Sequence, residues 1–210
     1  MRLNPAASTI LTVHTVLHSL AWFACIGYST IPLFWLMIHP FVKFWRARRR
    51  NPFTVLLPLW IVLWVITALI TAPRHRFELY STSVAWLPAA GLLAVGIRIY
   101  RSSGSGFSWS QLAGIPEIRA SNPPGKPLAA KGIRAHVRHP IYLAHLCEML
   151  AWSLGSGLAV CYCLTAFAII TGAAMIALEE RELTQRFGAD YTRYKNNVPA
   201  VFPRWNPYNP

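Results

Sequence analysis

The sequence predicts an all-α integral membrane protein of about five transmembrane helices, the last two a helical hairpin, with a cytoplasmic C-terminal helix and tail. Three observations carry this. Apolar residues make up 54% of the 210 residues and charged residues 13%, far from the balance of a soluble domain. The apolar residues gather into five blocks, His14–Ile38, Phe53–Ala72, Val84–Tyr100, Pro140–Leu154 and Leu158–Leu178. The basic residues fall between those blocks with a strong bias to alternate connections.

Taken in order, the blocks are mostly near the ~20 residues that cross ~30 Å of hydrocarbon at 1.5 Å per residue. The first is too long for the apolar region of a removable signal peptide, and no small-residue cleavage site follows it. Blocks one to three carry Pro32, Pro58 and Pro88, which membrane helices tolerate as kinks, and read as scaffold. His14 and His18 share a helix face, but two histidines do not make a metal site, and a polar pair at a helix end is the expectation. The fourth block is short. It opens on Pro140, a good first-turn residue, and ends at Gly155-Ser156-Gly157, which turns the chain straight into the fifth. Cys25, Cys147, Cys161 and Cys163 lie inside apolar blocks without metal-ligand spacing and are expected to be free thiols.

Charge sets the orientation. The connection after block one carries Lys43, Arg46, Arg48, Arg49 and Arg50; the loop after block three carries Arg98, Arg101, Arg119, Lys126, Lys131, Arg134 and Arg138. The tail adds Arg181, Arg186, Arg193, Lys195 and Arg204, which leaves Arg2, Arg74 and Arg76 of the 20 Lys and Arg on the opposite side of five crossings. The N-terminus is therefore expected outside and the C-terminus in the cytoplasm, and the net charge of +13 reflects this bias rather than a nucleic-acid partner. Residues 101–131 are rich in Gly, Ser and Pro and too polar for lipid. Gly104-Ser105-Gly106 has no strand before it and no helix signature after it, so it is not a nucleotide-binding loop. Beyond block five, Leu178, Leu183, Phe187 and Tyr191 keep a helical repeat, Gly188 is placed to interrupt it, and Pro199, Pro203 and Pro207 impose an irregular tail able to fold back over the cytoplasmic mouth.

A hairpin of blocks four and five brings Arg138, His139 and Tyr142 beside Glu179 and Glu180. Two readings of this cluster stand on spacing alone. It is a salt-bridge anchor for the hairpin, or a ligand site with a carboxylate acceptor, cationic donors and an aromatic face. Deeper in block four, His145 and Glu148 continue a three-residue stripe from His139 and Tyr142. They line a route into the membrane, or they are a satisfied pair bonded to another helix.

The motifs "GIRAHVRHPIYLAHL" and, some 35 residues later, "EERELTQRFGADYTRYKNNVPAVFPR" resemble the isoprenylcysteine carboxyl methyltransferase family and its bacterial relatives, whose pattern runs R-H-P-x-Y, E-E-x-x-L, F-G-x-x-Y-x-x-Y and V-P. The resemblance covers about the C-terminal 85 residues. It implies a membrane methyltransferase, located by its bacterial relatives in the inner membrane, that binds S-adenosylmethionine at the cytoplasmic end of the last hairpin and releases S-adenosylhomocysteine. It places the cofactor on His139, Pro140, Ile141, Tyr142 and Glu179, and on backbone near Lys126, Pro127, Leu128 and Ala129 before Gly132. It divides the chain into a three-helix scaffold, residues 1–100, a loop contributing to the cofactor site, residues 101–138, and a methyltransferase core, residues 139–210. Two positions depart from the pattern. Arg134 stands where an aromatic is usual, and Met175 stands where the eukaryotic enzymes carry a substrate-binding arginine. This points to a lipophilic or membrane-delivered acceptor other than a farnesylated cysteine. Arg138, Arg134, His145 and Glu148 are the candidate catalytic residues: Arg134 either replaces the missing arginine or pairs with Glu180, and Glu148 or His145 serves as base for an amine or phenol acceptor.

The partners expected are the lipid bilayer and a lipophilic or lipidated substrate, with no nucleic acid and no metal. The histidine clusters of a membrane desaturase are missing from the sequence, since one His136-x-x-His139 pair among seven histidines does not supply them. The alternative is a non-catalytic membrane protein that binds lipid or assembles with partners. The topology is directly testable: single cysteines at Ser105 and Ser83 in a Cys-free background should label from opposite faces of the membrane, and labelling from one face would remove a crossing.

Overall fold

The computed structural model of the protein describes residues 5–47, 53–103, 128 and 130–209. Its helices are α1 (Pro5–Ile38), α2 (Val42–Ala47), α3 (Phe53–Thr71), α4 (Trp86–Ser102), α5 (Pro140–Ser156), α6 (Ala159–Phe187) and α7 (Ala189–Asn197). Extended pairing among the described residues is confined to one antiparallel bridge between Glu78 and Leu158. Among the described residues, four segments are long and apolar enough to cross a membrane: Thr12–Ile38, Thr54–Arg74, Ser83–Ser102 and Ala159–Phe187.

The 17-residue α5 is not among those four, yet it runs antiparallel to α4 over the whole of that helix. Gly155 near its end meets Trp86, the first residue of α4. Ala144 and Glu148 in its middle meet Gly96, and ahead of its start Arg134 donates to the Ser103 carbonyl that follows α4. It therefore covers the same depth as α4. The reason it is less apolar lies in its position: α4, α1 and α6 all pack on it, so few of its side chains face outward. By contrast α3 packs on α1 alone among the long helices and leaves Leu59, Ile66, Leu69 and Ile70 exposed, as a lipid-facing helix does. It is held by two indoles, since Trp60 and Trp64 each donate to the Thr30 hydroxyl at 2.8 Å.

The hairpin expected between blocks four and five is present. Pro140 opens α5, and Gly157, at φ 66°, closes it in a left-handed turn whose N–H reaches the Ser153 carbonyl at 2.9 Å. A Cβ at Gly157 would lie 2.3 Å from the Tyr80 carbonyl oxygen. The turn is knitted to the α3–α4 connection: Leu79 N–H donates to Gly157 at 2.8 Å, Ala159 N–H donates to Phe77 at 3.0 Å, and the Tyr80 hydroxyl donates to the Leu154 carbonyl at 2.7 Å. Buried Ala21, Cys25, Met149, Leu158 and Cys161 form the core between α1, α5 and α6.

At the other end, α6 continues to Phe187, and Gly188 at φ 55° breaks it before α7, where the sequence placed an interruption. The tail folds back as expected. Residues 199–208 lie along residues 135–139, with Arg138 N–H donating to Pro199, His139 N–H to Ala200, Arg204 N–H to His136 and Tyr208 N–H to Ala135, each at 2.9–3.0 Å.

The tightest helix contact makes a prediction. A Cβ at Gly155 would sit 2.4 Å from the Trp86 ring. Gly155→Ala should destabilise the protein by about 1–3 kcal/mol through overpacking. Adding Trp86→Leu should recover most of that loss, measured as thermal unfolding in detergent across the double-mutant cycle.

Candidate functional site

Two helix termini and a tail build the mouth of the hairpin. His139 is the residue just ahead of α5, and Glu179 and Glu180 lie two turns before the end of α6. The antiparallel pairing brings them together. Arg138 Nε donates to Glu180 Oε1 at 2.9 Å and Nη2 reaches the same oxygen, while Lys195 Nζ from α7 lies 2.7 Å from Glu180 Oε2. His139 Nε2 is 3.3 Å from Glu180 Oε1, and its Nδ1 is 3.5 Å from Glu179 Oε2. Arg138 Nη1 also donates to the carbonyls of Lys195 and Val198.

This geometry sorts the two glutamates. Glu180 is buried and meets Arg138, Lys195 and His139, so its charge is consumed in joining α5, α6 and α7. Arg138 is equally committed, its guanidinium shared between a carboxylate and two backbone carbonyls, and it acts as a clamp. The Glu179 side chain is 32% exposed, and among the described residues its carboxylate is met by His139 Nδ1 alone. Beside it the Tyr142 ring stands edge-on to His139, with centroids 5.9 Å apart. The neighbouring α6 residue is Gly172, where a Cβ would lie 3.9 Å from the Tyr142 ring.

Two tyrosines of α7 close the floor. Tyr194 donates to the Arg134 carbonyl at 2.6 Å, and burial pushes its phenol up to about 12. Tyr191 is 1% exposed, and its hydroxyl finds no hydrogen-bond partner among the described residues. Burial first, and then the Glu180 carboxylate, raise its phenol above the ordinary range, so at neutral pH it is a protonated donor. A buried hydroxyl without a partner is costly.

The remaining residues divide. Pro140 is buried and Ile141 half-buried at the start of α5, and Leu128 packs against the Tyr191–Tyr194–Val198 cluster. Lys126, Pro127 and Ala129 lie outside the described residues. Arg134 points to Ser103 at 3.1 Å, and the partner of Glu180 is Arg138 rather than Arg134. Met175 is fully buried.

His145 and Glu148 do not share the face of His139 and Tyr142. A three-residue step falls 60° short of a full turn, so over the three steps from His139 to Glu148 the stripe swings halfway round the helix. The structure follows that drift. His145 sits between Tyr28 of α1, at 5.4 Å, and Tyr100 of α4, at 6.5 Å. Glu148 is buried against Gly96 of α4, with Tyr28 of α1 near its carboxyl group. Tyr28, Tyr100, Tyr191 and Lys195 were not singled out by the sequence. For the first two the available signal was a hydroxyl inside or at the end of an apolar block; for Tyr191 it was the Y-x-x-Y repeat.

The chain is similar to the Delta(14)-sterol reductase TM7SF2 of Mus musculus, at 30% identity over 141 residues, which covers 60% of this chain and 33% of that protein. It is an integral membrane protein, distantly related to a membrane sterol reductase. It spans about a third of the length of that relative. No family model matches the chain, and no solved structure matches it.

The membrane protein's mouth rests on Glu180. Glu180→Gln leaves Arg138 and Lys195 without their counter-charge and should cost on the order of 3 kcal/mol. It should also free the tail, read as faster proteolysis after Asn197 than in the wild type.

Proposed function

We propose that the protein is an S-adenosylmethionine-dependent methyltransferase of the membrane, acting on a lipophilic acceptor delivered to the α5–α6 mouth. The observation that carries this reading is the partly exposed Glu179 carboxylate, met among the described residues by one histidine nitrogen and lying beside the Tyr142 ring at a mouth flanked by apolar helices. The motif resemblance to the isoprenylcysteine carboxyl methyltransferases supports it.

The donor set fits the cofactor's chemistry. Glu179 accepts from an ammonium or from ribose hydroxyls, and the Tyr142 ring attracts a sulfonium cation. The Tyr191 hydroxyl, without a partner among the described residues, adds a buried donor. When bound, the cofactor supplies an electrophilic methyl group. The chain's part is to orient and to exclude water. His139 holds one Glu179 oxygen, while Arg138 and Glu180 fix both helices and draw the tail across the mouth. An amine or phenol acceptor needs a base within hydrogen-bond reach, and Glu148 lies two and a half turns along α5 from His139 on the opposite face, against α4. Met175, buried in place of a substrate-binding arginine, supports an acceptor other than a farnesylated cysteine.

The similarity to a sterol reductase favours a second reading, the reduction of a ring lipid, which needs a hydride donor. Against a phosphate-bearing dinucleotide at this mouth stands Glu179, whose charge would face the phosphates. Calorimetric titration in detergent separates the two. S-adenosylhomocysteine should bind, and Glu179→Gln should weaken it ten- to a hundredfold, the value of a charge-assisted hydrogen bond. Binding of NADPH with none of S-adenosylhomocysteine would replace the proposal with the reductase reading. Binding of neither, with retention of a lipid probe, would point to a non-catalytic lipid-binding role.

A further inference from the structure

The end of the molecule remote from the mouth holds a second group of chemically capable side chains. His14 and His18, on successive turns of α1, have ring centroids 3.9 Å apart, tilted by 42°. Glu78, from the α3–α4 connection, comes over them, with its Oε1 3.3 Å from His18 Nδ1. One nitrogen from each imidazole and one carboxylate oxygen all lie within 4.8 Å of one another. The sequence offered two histidines; the third ligand is 60 residues away and arrives through the fold.

An ion pair alone explains this arrangement poorly. Glu78 can offset one imidazolium, but two protonated rings at 3.9 Å repel each other, so the second ring gains nothing from the carboxylate. Two neutral imidazoles and one carboxylate converging on a common point are instead the ligand set of a divalent transition ion with an open fourth position. Metal–ligand bonds of about 2.0–2.2 Å place tetrahedral ligand atoms about 3.4 Å apart, which the group reaches by small rotations of its side chains. The chemistry also selects the ion, since imidazole nitrogen suits zinc and its neighbours, whereas calcium and magnesium take oxygen ligands. A supporting contact is present as well. Ser81 Oγ is 3.4 Å from His14 Nε2, so a hydroxyl holds the ring nitrogen that a metal bound through Nδ1 would leave free. Glu78 is 29% exposed and His18 13%, so the group is held by the fold but open to water on one side.

We infer that His14, His18 and Glu78 form a binding site for a zinc-type divalent cation. The ion ties α1 to the α3–α4 connection, which is itself bonded to the α5–α6 turn through Leu79, Phe77 and Tyr80. Three segments separated in the chain would then share one cross-link.

The test uses full-length, tag-free protein in detergent, stripped with a chelator and titrated with cobalt(II) as a spectroscopic stand-in for zinc. One cobalt per chain should bind with the intense visible bands of a four-coordinate site, and zinc should displace it and raise the unfolding temperature. His18→Asn and Glu78→Gln should each lower the affinity at least tenfold while helical circular dichroism is kept. His75→Ala should leave it unchanged, because that ring stacks on Trp22 and its Nδ1 meets the Ala72 carbonyl. The wild-type spectrum needs no variant to be decisive. Absence of the bands at stoichiometric cobalt, or bands that persist in the His18→Asn/Glu78→Gln double variant, would overturn the assignment.

Discussion

Everything at the mouth depends on the buried contact between Arg138 and Glu180. Two charges removed from water cost several kcal/mol each, and their attraction repays that only if every remaining donor and lone pair is used. Here they are. The carboxylate meets Arg138, His139 and Lys195, and the guanidinium spends its other donors on the Lys195 and Val198 carbonyls. Since those partners come from the start of α5, from α6, from α7 and from the residue after it, the pair fixes four pieces of chain by one set of bonds. Its neighbour Glu179 is thereby left as the carboxylate with capacity to spare.

The opposite end is held differently. Among the described residues no ion pair crosses from the hairpin turn to α4; the chain instead approaches closely through Gly155 against Trp86 and Gly157 against Tyr80. In lipid, helices gain little from burying apolar surface against each other, so small residues and backbone hydrogen bonds carry the contact. The same logic explains Gly96. A side chain there would strike Glu148 and the Ala144 carbonyl, so glycine is what lets α4 lie over the one acidic residue in the middle of α5.

The sequence made legible whatever is set by local chemistry. Block lengths, Pro140 opening α5, the turn at Gly157, the break at Gly188 and the meeting of Arg138 with the glutamates all follow from spacing and turn residues. It left out what depends on contacts between distant segments. Glu78 joins His14 and His18 because the α3–α4 connection pairs with the α5–α6 turn. Lys195 reaches Glu180 because α7 folds back. The Tyr191 hydroxyl is stranded because Tyr194, Val198 and Ala130 close around it. Helix geometry separates the rest: a three-residue repeat drifts by half a turn over nine residues, which carries His145 and Glu148 away from the face of His139 and Tyr142.

That drift bears on how the two polar regions of α5 relate. His139 and Tyr142 face α6, while His145 and Glu148 face α1 and α4. The space between the Tyr28 and Tyr100 rings is taken by His145, which both rings flank. The two polar regions therefore serve different neighbours: the first joins α5 to α6, whereas His145 and the buried Glu148 have Tyr28 beside them, so that α1, the scaffold helix by sequence, supplies polar company inside the bundle as well as apolar packing.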